Sequence, residues 1–397
     1  MKSHQFTKNT KLLALTTTLV ALFGFFLKLP CASSGWGGSS NTYLYLCYSD
    51  VGPLFYVRGF ADGIFPYLES YNDRFLEYPV LTGLWMWLIA QVAQTQSDPG
   101  SAFVYITWFT SLILIVISTH YLHKLRPTRA WWFALSPALL LTLGINWDSA
   151  AVLASILGIF WWRSGKSSRA GIALGVGAAF KLFPMLLLLP LLVDAIRKNK
   201  LKEFVKTATF AAASWLTINL PIYLLNSEGW WEFYRFSRER GIDFGSVWLA
   251  VDKLFGIRLS TDTVNYWAAI VMGLTALMLL SLAKRIDLFT AAFVFIAVFA
   301  LVNKVYSPQF VLWLAPLAAL SAIKLKHFVV WQIFEVIYYV AIWRYLLALA
   351  APDAYGGISE YWYGVAIAGH VLATSILVGI ALFNSVKNRG FSGRLSP

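Results

Sequence analysis

Asp50 is the first residue whose type and surroundings suit catalysis. It follows Tyr48 in a stretch rich in aromatic residues, which continues through Phe55 and Tyr56. Aromatic neighbours limit the solvation of a carboxylate, which raises its pKa and makes it a better proton acceptor. The sequence therefore predicts that Asp50 is a general base. The alternative is a solvated carboxylate in a surface loop.

Lys181 is the second candidate, because it interrupts an apolar stretch. It lies between the apolar runs 170–180 and 183–196, three residues before Pro184. A lysine at membrane depth costs roughly 2.5–3.5 kcal/mol on insertion scales, so such a residue usually faces a cavity. A lipid phosphate is an anion that matches this charge, and we predict that Lys181 binds one. A lysine that snorkels from a helix end is the alternative.

Further polar residues beside the apolar runs are weaker candidates for binding phosphate or substrate. Asp148 separates two apolar runs, where it either contacts substrate or caps the following helix. Arg238 belongs to a basic cluster that could hold a phosphate group, or that could lie on an amphipathic interface helix. The complete set of these weaker candidates is Arg58, Glu77, Tyr78, Asp148, Arg238 and Lys304.

The composition places these residues in a membrane protein. Of the 397 residues, 58% are hydrophobic and only 13% are charged, which excludes an ordinary soluble fold and intrinsic disorder. The 18 Trp, 19 Tyr and 29 Phe fit helices that are anchored at two membrane interfaces. The sequence therefore predicts an all-α, polytopic protein of the plasma membrane, with one domain over 1–397.

The net charge of +13 does not indicate nucleic-acid binding. Of the 32 Lys and Arg, 21 fall in seven short clusters between or beside apolar runs. This distribution is typical of cytoplasmic loops, which retain positive charge during insertion. A nucleic-acid surface would instead group the charge in one stripe. The clusters thus predict which loops are cytoplasmic, including a basic tail at 385–397.

Thirteen apolar runs have a length that spans or nearly spans a membrane. Two long segments, 30–78 and 226–263, are not continuously apolar, and the basic clusters place both outside the cytoplasm. Thirteen crossings cannot connect two cytoplasmic termini, so either 79–94 does not cross or the basic loop 122–130 is outside. The runs lie at about 12–29, 79–94, 102–121, 131–144, 148–162, 170–180, 183–196, 207–225, 264–283, 287–302, 308–323, 328–349 and 361–383.

The chain has only two cysteines, Cys31 and Cys47, and both lie in the segment 30–78. An oxidising compartment permits a disulfide there, which we predict, with two unpaired thiols as the alternative. No cysteine spacing indicates a metal site.

The ordered motifs resemble the GT-C class of membrane glycosyltransferases, and in particular family 87, which uses polyprenyl-phosphate mannose. The resemblance rests on four motifs spread over about 48–316, namely Tyr48-Ser49-Asp50, Glu77-Tyr78-Pro79-Val80-Leu81, Lys181-Leu182-Phe183-Pro184 and Ser307-Pro308-Gln309-Phe310-Val311-Leu312-Trp313-Leu314-Ala315-Pro316. It implies a GT-C fold of about 11–13 hydrophobic helices with two long extracytoplasmic loops. Similar actinobacterial members build mannose-containing envelope lipids by inverting transfer.

Together, the residues and the resemblance predict a hexosyltransferase. It would transfer mannose from a polyprenyl-phosphate donor to an envelope lipid or glycan at the outer face of the membrane. Asp50 would be the base, and Lys181, with Arg58 or Lys304, would hold the donor phosphate. No cofactor is expected, because Asp50 stands alone and not in an Asp-x-Asp pair, with a divalent metal as the alternative. The rival functions are a lipid or solute transporter and a non-catalytic scaffold.

Overall fold

The computed structural model describes residues 2–37 and 40–392, with side chains described within these ranges from residue 9 to residue 387. The regular structure of the described residues is helical, which confirms the predicted all-α class. Three groups of helices follow one another along the chain.

The first group begins with a helix of 25 residues and ends with a helix of 27 residues, Pro99–Leu125. Pro99 takes the first position of that last helix, and the backbone N–H of Ser101 donates to the Asp98 side chain at 3.1 Å. Two 3₁₀ helices, Leu29–Ser34 and Phe60–Asp62, lie between the α-helices. The α-helices are α1 (Lys2–Phe26), α2 (Ser40–Leu44), α3 (Val51–Val57), α4 (Val80–Ala93) and α5 (Pro99–Leu125).

Prolines set several breaks in the second group. Pro127, Pro137 and Pro184 each lie in the first turn of a helix, where a missing backbone N–H costs no hydrogen bond. The helices are α6 (Pro127–Ala134), α7 (Pro137–Thr142), α8 (Ser149–Arg163), α9 (Ser167–Phe180), α10 (Phe183–Leu186), α11 (Leu188–Lys198) and α12 (Leu201–Leu225).

Polar caps start most helices of the third group. Ser246, Ser260 and Asp287 each accept a hydrogen bond from a backbone N–H of the first turn. A 3₁₀ helix, Pro308–Phe310, precedes a helix whose ten residues are all buried. The α-helices are α13 (Ser227–Glu239), α14 (Val247–Phe255), α15 (Thr261–Ser281), α16 (Leu288–Val302), α17 (Val311–Leu320), α18 (Leu325–Ala350) and α19 (Glu360–Ser392).

Helix length and composition confirm a multi-pass membrane protein. Six of the described helices are long and apolar enough to span a bilayer, and four shorter helices are also apolar. The long ones cover Asn9–Ser34, Pro99–Leu125, Leu201–Leu225, Thr261–Ser281, Leu325–Ala350 and Glu360–Lys387. The short ones are α4, α8, α16 and the stretch Pro308–Leu320.

The apolar run 131–144 is not one helix, which corrects the sequence interpretation. It breaks at Ser136-Pro137 into α6 and α7, and the Ser136 hydroxyl caps α7 by accepting from the Leu139 N–H at 3.3 Å. Proline cannot continue a helix from inside it, because it lacks the N–H and clashes with the preceding turn. The presence of Pro137 in the sequence therefore already indicated a helix break at this position.

Both ends of helix α4 contact the segment 30–78. At its start, the Tyr67 hydroxyl donates to the Pro79 carbonyl at 2.7 Å, and at its end Gln94 Nε2 donates to the Phe60 carbonyl at 2.6 Å. Both ends of α4 thus bind the segment 30–78, so the helix starts and finishes on the side of that segment. Of the two options left by the sequence, the contacts favour the one in which 79–94 does not cross.

The basic clusters meet at one end of the helix bundle, which we call the basic end. There the Arg129 guanidinium donates to the carbonyls of Ala319, Ser321 and Ile323 at 2.6–3.0 Å. Arg126 and Arg163 both lie over the ring of Phe289. Loops that are far apart in sequence therefore gather at this end, as cytoplasmic loops would.

The predicted basic tail at 385–397 starts later than expected. Helix α19 continues to Ser392, and the hydroxyl of buried Ser385 bonds to both the backbone N–H and the carboxylate of Asp287. Residue 385 therefore belongs to the packed bundle and not to a solvated tail. Residues 393–397 of the predicted tail lie outside the described residues.

The segment 30–78 is folded, with Cys31 and Cys47 joined in a disulfide whose Cα atoms are 5.9 Å apart. Both cysteines are fully buried beside Trp36 and Phe55, in an apolar cluster that also includes residues of α4 and α5. This cluster holds α3, and with it Asp50, against the helix bundle.

Candidate active site

The backbone of two loops fixes the position of Asp50. Asp50 directly precedes α3, and its N–H donates to the Ile145 carbonyl at 2.8 Å. Beside it, the Ser49 hydroxyl donates to the Gly144 carbonyl at 2.6 Å. These bonds hold residues 48–50 against the loop between α7 and α8, at the end of the bundle that we call the site end.

Two side chains donate hydrogen bonds to the partly buried carboxylate of Asp50. The Tyr48 hydroxyl donates to Oδ1 at 2.7 Å, and Asn146 Nδ2 donates to Oδ2 at 2.6 Å. Burial raises the pKa of the Asp50 carboxyl above its ordinary value, while the bonds from Tyr48 and Asn146 and the charge of Lys181 act in the opposite direction. Asp50 is therefore a carboxylate with a raised pKa that is held in a fixed orientation, as a general base requires.

Asn146 connects Asp50 to the other groups of the site. Its Nδ2 also lies 2.9 Å from the Tyr78 hydroxyl, and its Oδ1 accepts from Lys181 Nζ at 3.2 Å. The same Oδ1 accepts from the backbone N–H of Trp147 at 2.7 Å, which determines the orientation of the amide. One side-chain amide thus links a carboxylate that can accept a proton to a lysine that can hold an anion.

Lys181 lies at the turn between α9 and α10. Its backbone is extended, and its Nζ forms an ion pair with Asp148 Oδ1 at 2.6 Å. The ammonium also lies 5.6 Å from the ring centroid of Trp313. Among the described residues, Asp148 and Asn146 are its hydrogen-bonding partners, and an ammonium group has three donors. The third donor has no hydrogen-bond partner among the described residues.

Asp148 orients Lys181 and does not cap a helix. It is 1% exposed, its side chain forms no cap bond to α8, and Trp313 Nε1 donates to its Oδ1 at 2.8 Å. Its Oδ2 is buried and has no hydrogen-bond partner among the described residues. The carboxylate is therefore too enclosed to bind substrate directly in this conformation, and its role is to fix the ammonium group.

The sequence model of glycosyltransferase family 87 matches residues 75–303, more than half of the chain. The chain belongs to glycosyltransferase family 87. The predicted resemblance to this GT-C family is thereby confirmed, and the protein is a membrane glycosyltransferase.

Two solved structures are similar in fold over most of the chain. Both are crystal structures of ArnT from Cupriavidus metallidurans, one bound to undecaprenyl phosphate and one in the apo state, and each is 13% identical to this protein. The TM-scores are 0.48 and 0.46, and each match covers 97% of this chain and 79% or 78% of the other. No curated protein matches the chain.

The family 87 match includes Asn146, Asp148 and Lys181 but not Asp50. The bond between Asp50 and Asn146 therefore joins the segment that precedes the match to the polar residues within it.

Arg58 and Glu77 form a pair next to the site. The guanidinium donates two hydrogen bonds to the Glu77 carboxylate at 2.6 and 2.7 Å, and its Nη1 donates to the Val57 carbonyl. All three nitrogens of Arg58 are therefore engaged with protein groups. The pair ties the end of α3 to the residue before Tyr78, and so helps to place the Tyr78 hydroxyl beside Asn146.

Lys304 and Arg238 contact each other at the second long segment. Lys304 Nζ donates to the Arg238 carbonyl at 2.6 Å, and the Lys304 carbonyl accepts from the Asp243 N–H at 2.9 Å. Burial lowers the pKa of Lys304. The structure thus places Lys304 in a bracing contact with the segment 226–263, while the Arg238 side chain is exposed.

Sequence reasoning missed three residues that complete the site. Trp313 lies inside the motif 307–316, but tryptophan is common in apolar helices, and Asn146 is a neutral residue outside the four motifs. Lys28 lies within the first apolar run, 12–29, and its Nζ donates to the Tyr48 carbonyl at 3.1 Å from a position that is 2% exposed. Within residues 2–37 and 40–392, no three His, Cys, Asp or Glu side chains cluster as metal ligands.

Proposed function

We propose that this family 87 protein transfers a hexose, mannose, from a polyprenyl-phosphate donor to a lipid or glycan acceptor of the cell envelope. The observation that carries the proposal is the connected set of Asp50, Asn146 and Lys181 in a membrane-embedded glycosyltransferase. It provides one group that can accept a proton and one that can hold an anion, which are the two needs of sugar transfer from a phosphate.

In the proposed reaction, an acceptor hydroxyl donates its proton to the Asp50 carboxylate as its oxygen attacks the anomeric carbon. The bond between that carbon and the phosphate oxygen breaks, and the polyprenyl phosphate leaves with the electron pair. Negative charge grows on the leaving phosphate, where the free donor of Lys181 stabilises it. Attack opposite the phosphate inverts the anomeric centre, so a β-linked donor yields an α-linked product.

The remaining candidates have supporting roles in this proposal. Asp148 and Trp313 fix Lys181, and the Arg58–Glu77 pair places Tyr78. Lys304 and Arg238 lie on the second segment, where an acceptor headgroup can approach the exposed Arg238 guanidinium. No step requires a divalent metal.

The proposed active site faces the outside of the plasma membrane. The basic clusters gather at the opposite end of the bundle from Asp50, and positively charged loops stay in the cytoplasm. This orientation explains a lipid-linked donor, because nucleotide sugars remain in the cytoplasm.

A transfer assay tests the proposed function. The purified protein in lipid nanodiscs receives polyprenyl-phosphate mannose carrying a radiolabel and an extract of envelope lipids as acceptor. We expect labelled α-linked product and free polyprenyl phosphate, with no product from the matched glucose or galactose donor. Transfer of another hexose alone would disprove the choice of mannose. Movement of the intact donor across the membrane of liposomes that contain the protein, without formation of a mannosylated product, would favour the transporter.

The hydrogen bond from Tyr48 to Asp50 predicts a pH effect. A base must be deprotonated to work, so the rate falls as the pH drops through the pKa of Asp50. Tyr48→Phe removes a donor that stabilises the charged carboxylate, and so raises this pKa further. We expect the acid limb of the kcat/KM profile to move to higher pH. Tyr43→Phe, on a neighbouring stacked ring, is the control and should leave the limb in place.

A further inference from the structure

A groove and a pocket adjoin at the basic end of the bundle. The groove lies between α6–α7 and α18, has a volume of about 550 Å³, and is lined almost entirely by apolar side chains. The residues that dominate its walls are Trp131, Trp132, Leu135, Phe328, Val329 and Ile333. Leu135 is 59% exposed and Ile333 is 51% exposed, so this face is open to the bilayer.

The break in the run 131–144 creates the groove. Helix α6 ends at Ala134 and α7 restarts at Pro137, which frees backbone groups that a continuous helix would satisfy. Gln332 of α18 satisfies one of these groups, because its Oε1 accepts a hydrogen bond from the Ala138 N–H at 3.0 Å. Gln332 is 3% exposed, so this bond braces the broken helix from within the bundle.

The adjoining pocket is strongly basic. It has a volume of about 500 Å³ and is lined by Arg126, Arg129, Lys324 and Lys387, with Asp287 as its one carboxylate. The Asp287 carboxylate accepts hydrogen bonds from the Phe289 and Thr290 N–H groups, which hold it at the start of α16. Four basic side chains against one carboxylate leave the pocket lining with excess positive charge.

Groove and pocket are continuous. Lys324 lines the pocket and the next residue, Leu325, lines the groove. Arg129 lies in the pocket with its guanidinium 4.7 Å from the ring centroid of Trp132, which lines the groove. The apolar groove, which is open to the bilayer, suits an acyl chain, and the basic pocket at its end suits an anionic headgroup. Together they match a phospholipid with an anionic headgroup.

We propose that this surface binds an anionic phospholipid of the leaflet that the basic end faces. One acyl chain occupies the groove beside Trp132 and Val329, and the phosphate headgroup lies in the pocket between Lys324 and Lys387. The bound lipid fills the gap left by the break at Pro137. This site is separate from Asp50 and Lys181, which lie at the site end.

Lipid binding measured by native mass spectrometry tests the proposal on the full-length protein. Delipidated protein is titrated with phosphatidylglycerol or phosphatidylcholine of equal chain length. We expect a clear preference for phosphatidylglycerol, and about 30-fold weaker phosphatidylglycerol binding for the double variant Lys324→Gln/Lys387→Gln, because each basic residue contributes about 1 kcal/mol. Val329→Trp, which fills the groove, should weaken binding of both lipids and leave the preference intact.

A second basic patch at the same end provides the control. Lys166 and Lys206 line a pocket of about 520 Å³ that has no apolar groove among its lining residues. Lys166→Gln/Lys206→Gln removes the same charge and should keep the preference for phosphatidylglycerol. Equal binding of the two lipids by the unmodified protein, or equal losses in the two double variants, would overturn the proposal. Displacement of phosphatidylglycerol by stoichiometric polyprenyl phosphate would assign the groove to the donor instead.

Discussion

Asp50→Asn should reduce the rate of sugar transfer by roughly 10²–10⁴-fold, the usual cost of losing a general base. The amide has nearly the shape of the carboxylate, and it can still accept the hydrogen bond from Asn146. It cannot accept a proton from the acceptor hydroxyl. The loss should therefore appear in kcat, while the affinity for the polyprenyl-phosphate donor remains close to that of the unmodified protein.

Asp73→Asn is the matched control for this substitution. Asp73 lies in the same segment, is exposed, and has a positive φ of 58°, a conformation that asparagine also tolerates. Its transfer rate should be unchanged. Near-normal transfer by Asp50→Asn in well-folded protein would remove the catalytic role of Asp50 and favour the scaffold or the transporter.

The helical class and most helix positions were predictable from the sequence, because an apolar run of a given length has few ways to satisfy its backbone in a membrane. The exceptions have specific causes. The run 131–144 broke at Pro137, a residue whose effect the pattern of hydropathy alone does not register. The run 79–94 has the composition of a crossing helix, and only the contacts of Tyr67 and Gln94 in the folded chain favour a helix that does not cross.

The candidate site was predictable in its charged residues but not in the way they connect. Asp50 and Lys181 stand out because charge is costly beside a membrane. Asn146 is neutral and lies 96 residues from Asp50, so no local pattern shows that its amide joins the two. Arg58 was assigned to phosphate from its charge alone, since its partner Glu77 is 19 residues away and meets it only in the folded chain.

The ion pair between Lys181 and Asp148 complicates the obvious test of Lys181. Asp148 is 1% exposed, and Lys181→Met would leave its carboxylate buried without a counter-ion. Removing one partner of such a pair costs about 3–5 kcal/mol of stability. A loss of transfer in this variant could therefore reflect unfolding, so the substitution by itself does not separate a role in phosphate binding from a role in stability.

The double variant Lys181→Met/Asp148→Asn separates the two roles. It removes both charges, so no unpaired carboxylate remains, and the added amide can still accept from Trp313 Nε1. We expect its melting temperature in detergent to recover most of what Lys181→Met loses. If Lys181 holds the donor phosphate, donor binding should stay weak and kcat should remain roughly 10²–10³-fold low, the usual cost of one group that stabilises developing negative charge.

The buried Asp194 and its partner Lys198, in the last turns of α11, are the control for charge removal itself. Asp194 is 1% exposed and accepts hydrogen bonds from Lys198 Nζ at 2.7 Å and from Trp162 Nε1 at 2.9 Å, so it shares with Asp148 a lysine and a tryptophan partner. Unlike Asp148, it also pairs with an arginine, Arg197. Lys198→Met/Asp194→Asn should leave donor binding and transfer intact. Recovery of transfer by the Lys181→Met/Asp148→Asn protein would show that Lys181 only neutralises Asp148, and the phosphate would then need another cation. A stable Lys181→Met/Asp148→Asn protein that does not bind the donor would place the phosphate at Lys181. An unpaired Asp148 carboxylate could not explain the loss, because Asp148 is the only charged partner of the ammonium group among the described residues and this variant lacks it.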